Sequence, residues 1–148
     1  HVVAWSRNLT EEQAVAAGVV AVDRETFFRE SDVVTVQLKL SSRSIGYVGA
    51  AEFALMKPSA LFVNTSRGPI VDEAALLEAL RTGRIAGAAL DVFDREPLPV
   101  DHPLRRAPHT LLTPHMGYVS AETYRAFYAS AVEGIAAFRA GSPVRRLA

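Results

Sequence analysis

An α/β fold, with a parallel sheet covered by helices on both faces, is what this sequence predicts, and three observations carry the prediction. Short apolar, β-branched runs alternate with helix-patterned segments along the chain. With 148 residues, 49% of them hydrophobic, there is material for one real core. The stretch from Leu61 to Leu76 shows a complete strand–loop–helix step: the apolar run Leu61 to Val63, a tight loop around Arg67, and a helix pattern opening at Asp72. Gly68 and Pro69 stop that strand and let the backbone run close to whatever lies above the sheet edge. In an open α/β sheet, that edge is where ligands bind.

The elements follow in order. Val2 to Trp5 reads as a strand, and Thr10-Glu-Glu-Gln13 has the capping-box spacing that starts a helix, with Gly18 placed to end it. Val19 to Val22 is a second strand. Asp23 caps a short helix through Phe27 and Phe28, and Val33 to Val36 is a third strand between Ser31-Asp32 and Ser41-Ser42. Ala50 to Met56 is helical up to Lys57-Pro58, Leu61 to Thr65 is the fourth strand, and Glu73 to Arg81 is a helix stopped at Gly83. Ala88 to Val92 is another strand. After a Pro-rich connection from Leu98 to Pro108, Thr110 to Thr113 is strand-like and closed by Pro114. The last helix starts at Ser120 as N-cap and puts Tyr124, Phe127, Tyr128, Ala131, Ile135 and Phe138 on one stripe, which reads as core. Gly141-Ser-Pro143 ends it, and Arg145-Arg146 reads as a solvated tail.

Composition excludes several classes of function. Sixteen basic residues balance sixteen acidic ones, so there is no long-range field to draw a nucleic-acid backbone or an anionic membrane. Without cysteine there are no disulfides, no thiolate chemistry and no Cys-ligated metal, and no metal site is expected. The absence of an 18-residue apolar run or a signal-peptide layout points to a cytoplasmic protein. The chain enters a strand directly from His1, which reads as a piece of something longer.

Arg67 stands just past one strand, Glu96 follows the strand ending near Val92, and His115 follows the strand ending at Thr113. Taken singly, these are a turn arginine, a loop carboxylate and a capped loop histidine. On a parallel sheet, three successive strand ends share one edge, and the joint placement is what the single readings leave unexplained. A carboxylate bonded to an imidazole fixes its tautomer and favours its protonated form, so the ring can deliver a proton to a developing alkoxide. A guanidinium beside them can grip a carboxylate and polarise the neighbouring carbonyl. Acid, orienter and clamp together fit reduction of a 2-keto acid.

Three motifs carry a family resemblance: Asn64-Thr-Ser-Arg-Gly-Pro-Ile-Val-Asp-Glu-Ala-Ala-Leu76, then Gly87-Ala-Ala-Leu-Asp-Val-Phe93 with Glu96-Pro97, then Leu112-Thr-Pro-His-Met-Gly117. In this order and spacing they resemble the D-isomer-specific 2-hydroxyacid dehydrogenases over nearly the whole chain. The resemblance implies a Rossmann-like sheet that transfers hydride between NAD(P)H and a small 2-keto or 2-hydroxy acid such as glyoxylate or hydroxypyruvate. It implies that Arg67 binds the substrate carboxylate and carbonyl, that His115 is the general acid/base, and that Glu96 tunes His115. Asp91 would hold the nicotinamide carboxamide, and Thr65, Ser66, Leu38, Ser44 and Gly117, with Arg67 and His115, would line the cofactor. Residues 1–118 would form the NAD(P)-binding domain from its second strand onward, 119–148 would return toward a substrate domain, and the complete protein would be a homodimer.

Departures from the family pattern are equally informative. The G-x-G-x-x-G phosphate loop is absent, and the chain begins where the family's second strand would lie, so the fold is expected to be incomplete at its N-terminus. In the strand order 3-2-1-4-5-6 the missing first strand is central, and its loss would separate strands two and three from the rest. Lys39 replaces a proline usual after the third parallel strand. Where an NAD enzyme is expected to carry Asp or Glu at the end of its second strand, this chain has Ser6-Arg7-Asn8. That permits a 2′-phosphate and favours NADP, the alternative being a solvent-facing arginine with NAD still bound. Two other functions fit the same residues: a dinucleotide-sensing binding module like the related transcriptional corepressors, and a truncated inactive fragment.

Overall fold

Val3–Ala4 (β1) and Val20–Ala21 (β2) pair in parallel, joined by a helix, Glu11–Ala16 (α1), that supplies the crossover a parallel pair needs. Thr10 caps α1, and the reciprocal capping box with Gln13 is complete. Asp23 caps the next helix, Arg24–Glu30 (α2), by accepting from the Glu25 and Thr26 N–H groups. The computed structural model describes residues 1–146, so the last two residues of the 119–148 segment lie outside the described residues.

A second sheet holds Val33–Val36 (β3), Leu61–Asn64 (β4), Gly87–Leu90 (β5) and Thr110–Leu112 (β6), all parallel and in that order. The helices Ala50–Leu55 (α3) and Glu73–Arg81 (α4) connect its strands, and a 3-10 turn at Pro103–Arg106 lies within the Pro-rich connection. Phe53 and Phe62 meet edge to face at 5.2 Å in the core, with Met56, Ile70, Leu80 and Ile85 buried around them.

The strands form two separate sheets, as expected: β1 and β2 stand apart from the β3-β4-β5-β6 sheet. Between them lies a groove of about 690 Å³, lined on one side by residues 1–6 and on the other by residues 33–38. Side chains hold the smaller sheet in place. Trp5 stacks on Tyr47 at 5.6 Å and meets Phe28 edge-on at 6.5 Å, and the Arg24 guanidinium lies over its ring while pairing with buried Glu52.

The chain divides into two compact units, His1–His115 and Met116 onward. In the second, Ser120 caps a helix, Ala121–Arg139 (α5), by accepting from the Thr123 N–H. Its apolar stripe is not core. Tyr124, Phe127, Tyr128, Ile135 and Phe138 are 45–75% exposed, Ala131 is exposed, and α5 has no buried residue. The 3.6-residue period fixes a face but not its partner, and among the described residues nothing covers this one. Arg145 and Arg146 are exposed, as a solvated tail should be, and Arg145 also pairs with Glu133 at 2.7 Å and donates to the Ser130 carbonyl, closing the chain back on α5. No helix among the described residues is long and apolar enough to cross a membrane.

Candidate active site

The register of the large sheet brings three loops to one edge. Asn64 at the end of β4 pairs with Leu90 of β5, and Leu90 pairs with Leu112 of β6. The loops bearing Arg67, Glu96 and His115 therefore leave the sheet side by side.

Asn64 shapes the first loop. Its side chain, 1% exposed, accepts from the Ser66 N–H and donates to the Arg67 carbonyl, each at 3.0 Å. The Ser66 hydroxyl donates to the Leu38 carbonyl, tying this loop to the end of β3. Arg67 projects into solvent, with one guanidinium N–H on the Ser66 carbonyl at 2.6 Å. Gly68 is required where it stands: a Cβ there would lie 2.1 Å from the Phe93 carbonyl carbon, so the first and second loops touch backbone to backbone.

The second loop anchors two carboxylates. Asp91 is 5% exposed, accepts from the Thr113 hydroxyl, and donates its N–H to the Asn64 carbonyl at 3.0 Å. Glu96 Oε1 accepts from the Phe93 N–H at 2.9 Å, and Glu96 Oε2 lies 2.7 Å from His115 Nδ1. His115 adopts φ +53, a left-handed backbone uncommon outside glycine, which turns the chain directly after Pro114. Burial pushes the Glu96 carboxyl up. The His115 hydrogen bond, the Phe93 N–H and the charges of His115 and Arg67 more than offset this, leaving it below the ordinary glutamate value. The contact commits His115 Nδ1 to Glu96. A cleft of about 560 Å³ opens beside the pair, lined also by Phe93, Leu98, Arg105 and Leu112.

The residues expected around a cofactor are less uniformly placed. Leu38 and Ser66 are in contact; Thr65 is exposed on the same loop. Ser6 is half-buried just past β1, and Arg7 beside it is exposed. Ser44 is 7% exposed, and its hydroxyl donates to the Lys39 carbonyl and accepts from the Ser41 N–H, both at 2.8 Å, so it closes a turn and presents no open face. Gly117 belongs to the second compact unit and is exposed. Asn64, Thr113 and the Phe93 N–H were not assigned roles from the sequence. An amide or hydroxyl ending an apolar strand is the available signal for the two side chains. Among the described residues no group of three His, Asp or Glu side chains is placed to hold a metal.

A parallel α/β sheet whose strand ends gather such side chains at one edge has the architecture of the dinucleotide-binding domains. Residues 1–117 match the model of the D-isomer specific 2-hydroxyacid dehydrogenase NAD-binding domain, and the chain belongs to that family. It is 45% identical over 120 residues to glyoxylate/hydroxypyruvate reductase B of Escherichia fergusonii, covering 81% of this chain and 37% of that protein. Among solved structures it resembles D-lactate dehydrogenase with NAD+ from Lactobacillus jensenii, with TM-score 0.84 and 27% identity over 99% of this chain and 48% of that one. It also resembles a D-isomer specific 2-hydroxyacid dehydrogenase from Xanthobacter autotrophicus Py2 in complex with NADPH and MES, with TM-score 0.69 and 40% identity over 86% of this chain and 42% of that one. The chain thus spans less than half the length of each of these relatives.

Proposed function

We propose that this chain is part of an NAD(P)-dependent D-2-hydroxyacid dehydrogenase reducing a small 2-keto acid of the glyoxylate or hydroxypyruvate kind. The observation that carries the reading is the 2.7 Å contact of Glu96 with His115 on the sheet edge that also presents Arg67. Arg67 grips the substrate carboxylate and draws on its carbonyl oxygen, and Glu96 holds the His115 ring in the orientation that aims Nε2 at that oxygen. His115 donates the proton that turns the developing alkoxide into a hydroxyl.

Both ends of a dinucleotide find fitting residues here. Asp91, buried and bonded by Thr113, would accept from the carboxamide N–H, and Ser6 and Arg7, just past β1, are assigned to the adenosine ribose. Leu38, Thr65, Ser66 and Gly117 would complete the lining, while the chain has no Gly-rich loop to seat the pyrophosphate. When bound, the reduced nicotinamide supplies the hydride. The domain reading, 1–118 for the cofactor and 119–148 returning toward a substrate domain, belongs to the same proposal, as do a homodimer and a cytoplasmic location.

In the complete enzyme, His115→Ala is expected to lower kcat by about 10²–10⁴, and Arg67→Lys to raise KM as well as lower kcat, because an ammonium cannot reproduce the two-pronged grip. Near-parental rates for His115→Ala in 2-keto acid reduction would overturn the mechanism. NADPH is the expected preference, since Ser6 offers no carboxylate to repel a 2′-phosphate and Arg7 can pair with it. Ser6→Asp should reverse that preference in kcat/KM; a parent favouring NADH, unchanged by the substitution, rules the assignment out.

A further inference from the structure

His102 takes no part in the chemistry above, yet both of its ring nitrogens are engaged. Nδ1 accepts from the Leu104 N–H at 3.3 Å, and Nε2 lies 3.1 Å from Glu73 Oε1, with the side chains only 18% and 26% exposed. Glu73 is the first residue of α4, just beyond the loop of Arg67, and His102 belongs to the β5–β6 connection that carries Glu96. The pair therefore bridges the two loops a second time, Gly68 against Phe93 and Asp94 being the first contact. A half-open pocket of about 10 Å³ lies beside the two contacts, lined by residues that include Gly68, Glu73, Phe93, Asp94 and Leu104.

The ring both accepts and donates, which is what the two segments require of it. Burial pushes the Glu73 carboxyl up, His102 opposes that and Asp94 adds to it; burial likewise pushes Asp94 up, with His102 opposing and Asp72 adding. With Nδ1 accepting, the ring donates Nε2–H to Glu73, and this bond ties the two carboxylate-bearing loops together. Without that bond the two loops lose one of their two bridges, and the segment that would move includes Phe93, whose N–H holds Glu96 Oε1. We propose that Glu73 and His102 are positioning residues that hold the Phe93–Glu96 loop against the Arg67 loop and so set where the Glu96 carboxylate meets His115. Their effect on turnover rests on the proposed function; their effect on the Glu96–His115 contact does not.

Two measurements separate these. In the 148-residue chain, the His115 ring is titrated by NMR in the parent, His102→Leu and Glu73→Gln. His102→Leu is expected to move the His115 midpoint by about half a pH unit or more, while Glu73→Gln, which keeps an acceptor for Nε2–H, stays near the parent. His102→Ala replaces His102→Leu if the latter does not fold, and is read the same way. In the complete enzyme, His102→Leu is expected to lower kcat/KM for 2-keto acid reduction about tenfold to a hundredfold and to move its pH profile. An unmoved His115 titration together with an unmoved pH profile, in variants that are merely less stable, overturns the proposal. A moved titration beside near-parental rates for His115→Ala upholds the positioning and instead overturns the proposed chemistry.

Discussion

Glu96 meets two partners at once, the Phe93 N–H and His115 Nδ1, and its carboxyl sits below the ordinary value of 4.5 as a result. A depressed carboxylate stabilises the fold fully above its unfolded value and loses that contribution as pH falls through the folded one. Glu96→Gln is therefore expected to be less stable than the parent at neutral pH, with the deficit closing as the pH falls below the ordinary glutamate range, as read from urea midpoints. The same substitution keeps a hydrogen-bond partner for the ring but removes the charge favouring a protonated imidazole, so the pH limit for ketone reduction should move lower. Overlaid kcat/KM profiles would remove Glu96 from the tuning role. Arg67, Glu96 and His115 were legible because strand ends on a parallel sheet share an edge, a property of topology. Asn64 was not, because its work is done by a buried amide folded back on its own loop, which no spacing announces.

Helices and strands follow the sequence closely wherever a local signal specifies them. Thr10, Asp23, Asp72 and Ser120 all cap the helices they were expected to start, because a capping bond is made within three residues and needs nothing distant. Gly18 and Gly83 adopt φ +71 and +66 just past the ends of α1 and α4, where a Cβ would be strained. The stripe on α5 shows the opposite case. Its period was right and its burial wrong, since burial depends on what packs against a face, and 19 residues of helix carry no information about that. Arg145 is exposed as expected, but its partners Glu133 and Ser130 could not be foreseen for the same reason: they are reached only after the chain reverses at Gly141, φ +73.

The groove between β1 and β3 ties the fold to the function. Ser6 and Arg7 stand on one side of it, at the end of β1, and Ser66 and Asp91 stand beyond the other, above β4 and β5. Trp5, Tyr47, Phe28 and Arg24 fix the two-stranded sheet by side-chain packing alone, with no backbone hydrogen-bond ladder across the gap. A dinucleotide spanning both sides would have to gain its affinity from the two ends, without main-chain N–H groups around the pyrophosphate, the part that carries the charge. The 148-residue chain is accordingly expected to bind NADH and NADPH weakly. Trp5 lines the groove and reports on it directly, so a titration followed by its fluorescence is the measurement. A saturable change with a Kd of about 1 μM, some 8 kcal/mol of binding free energy, would mean that the two ends suffice and that the division of the sheet does not limit cofactor binding.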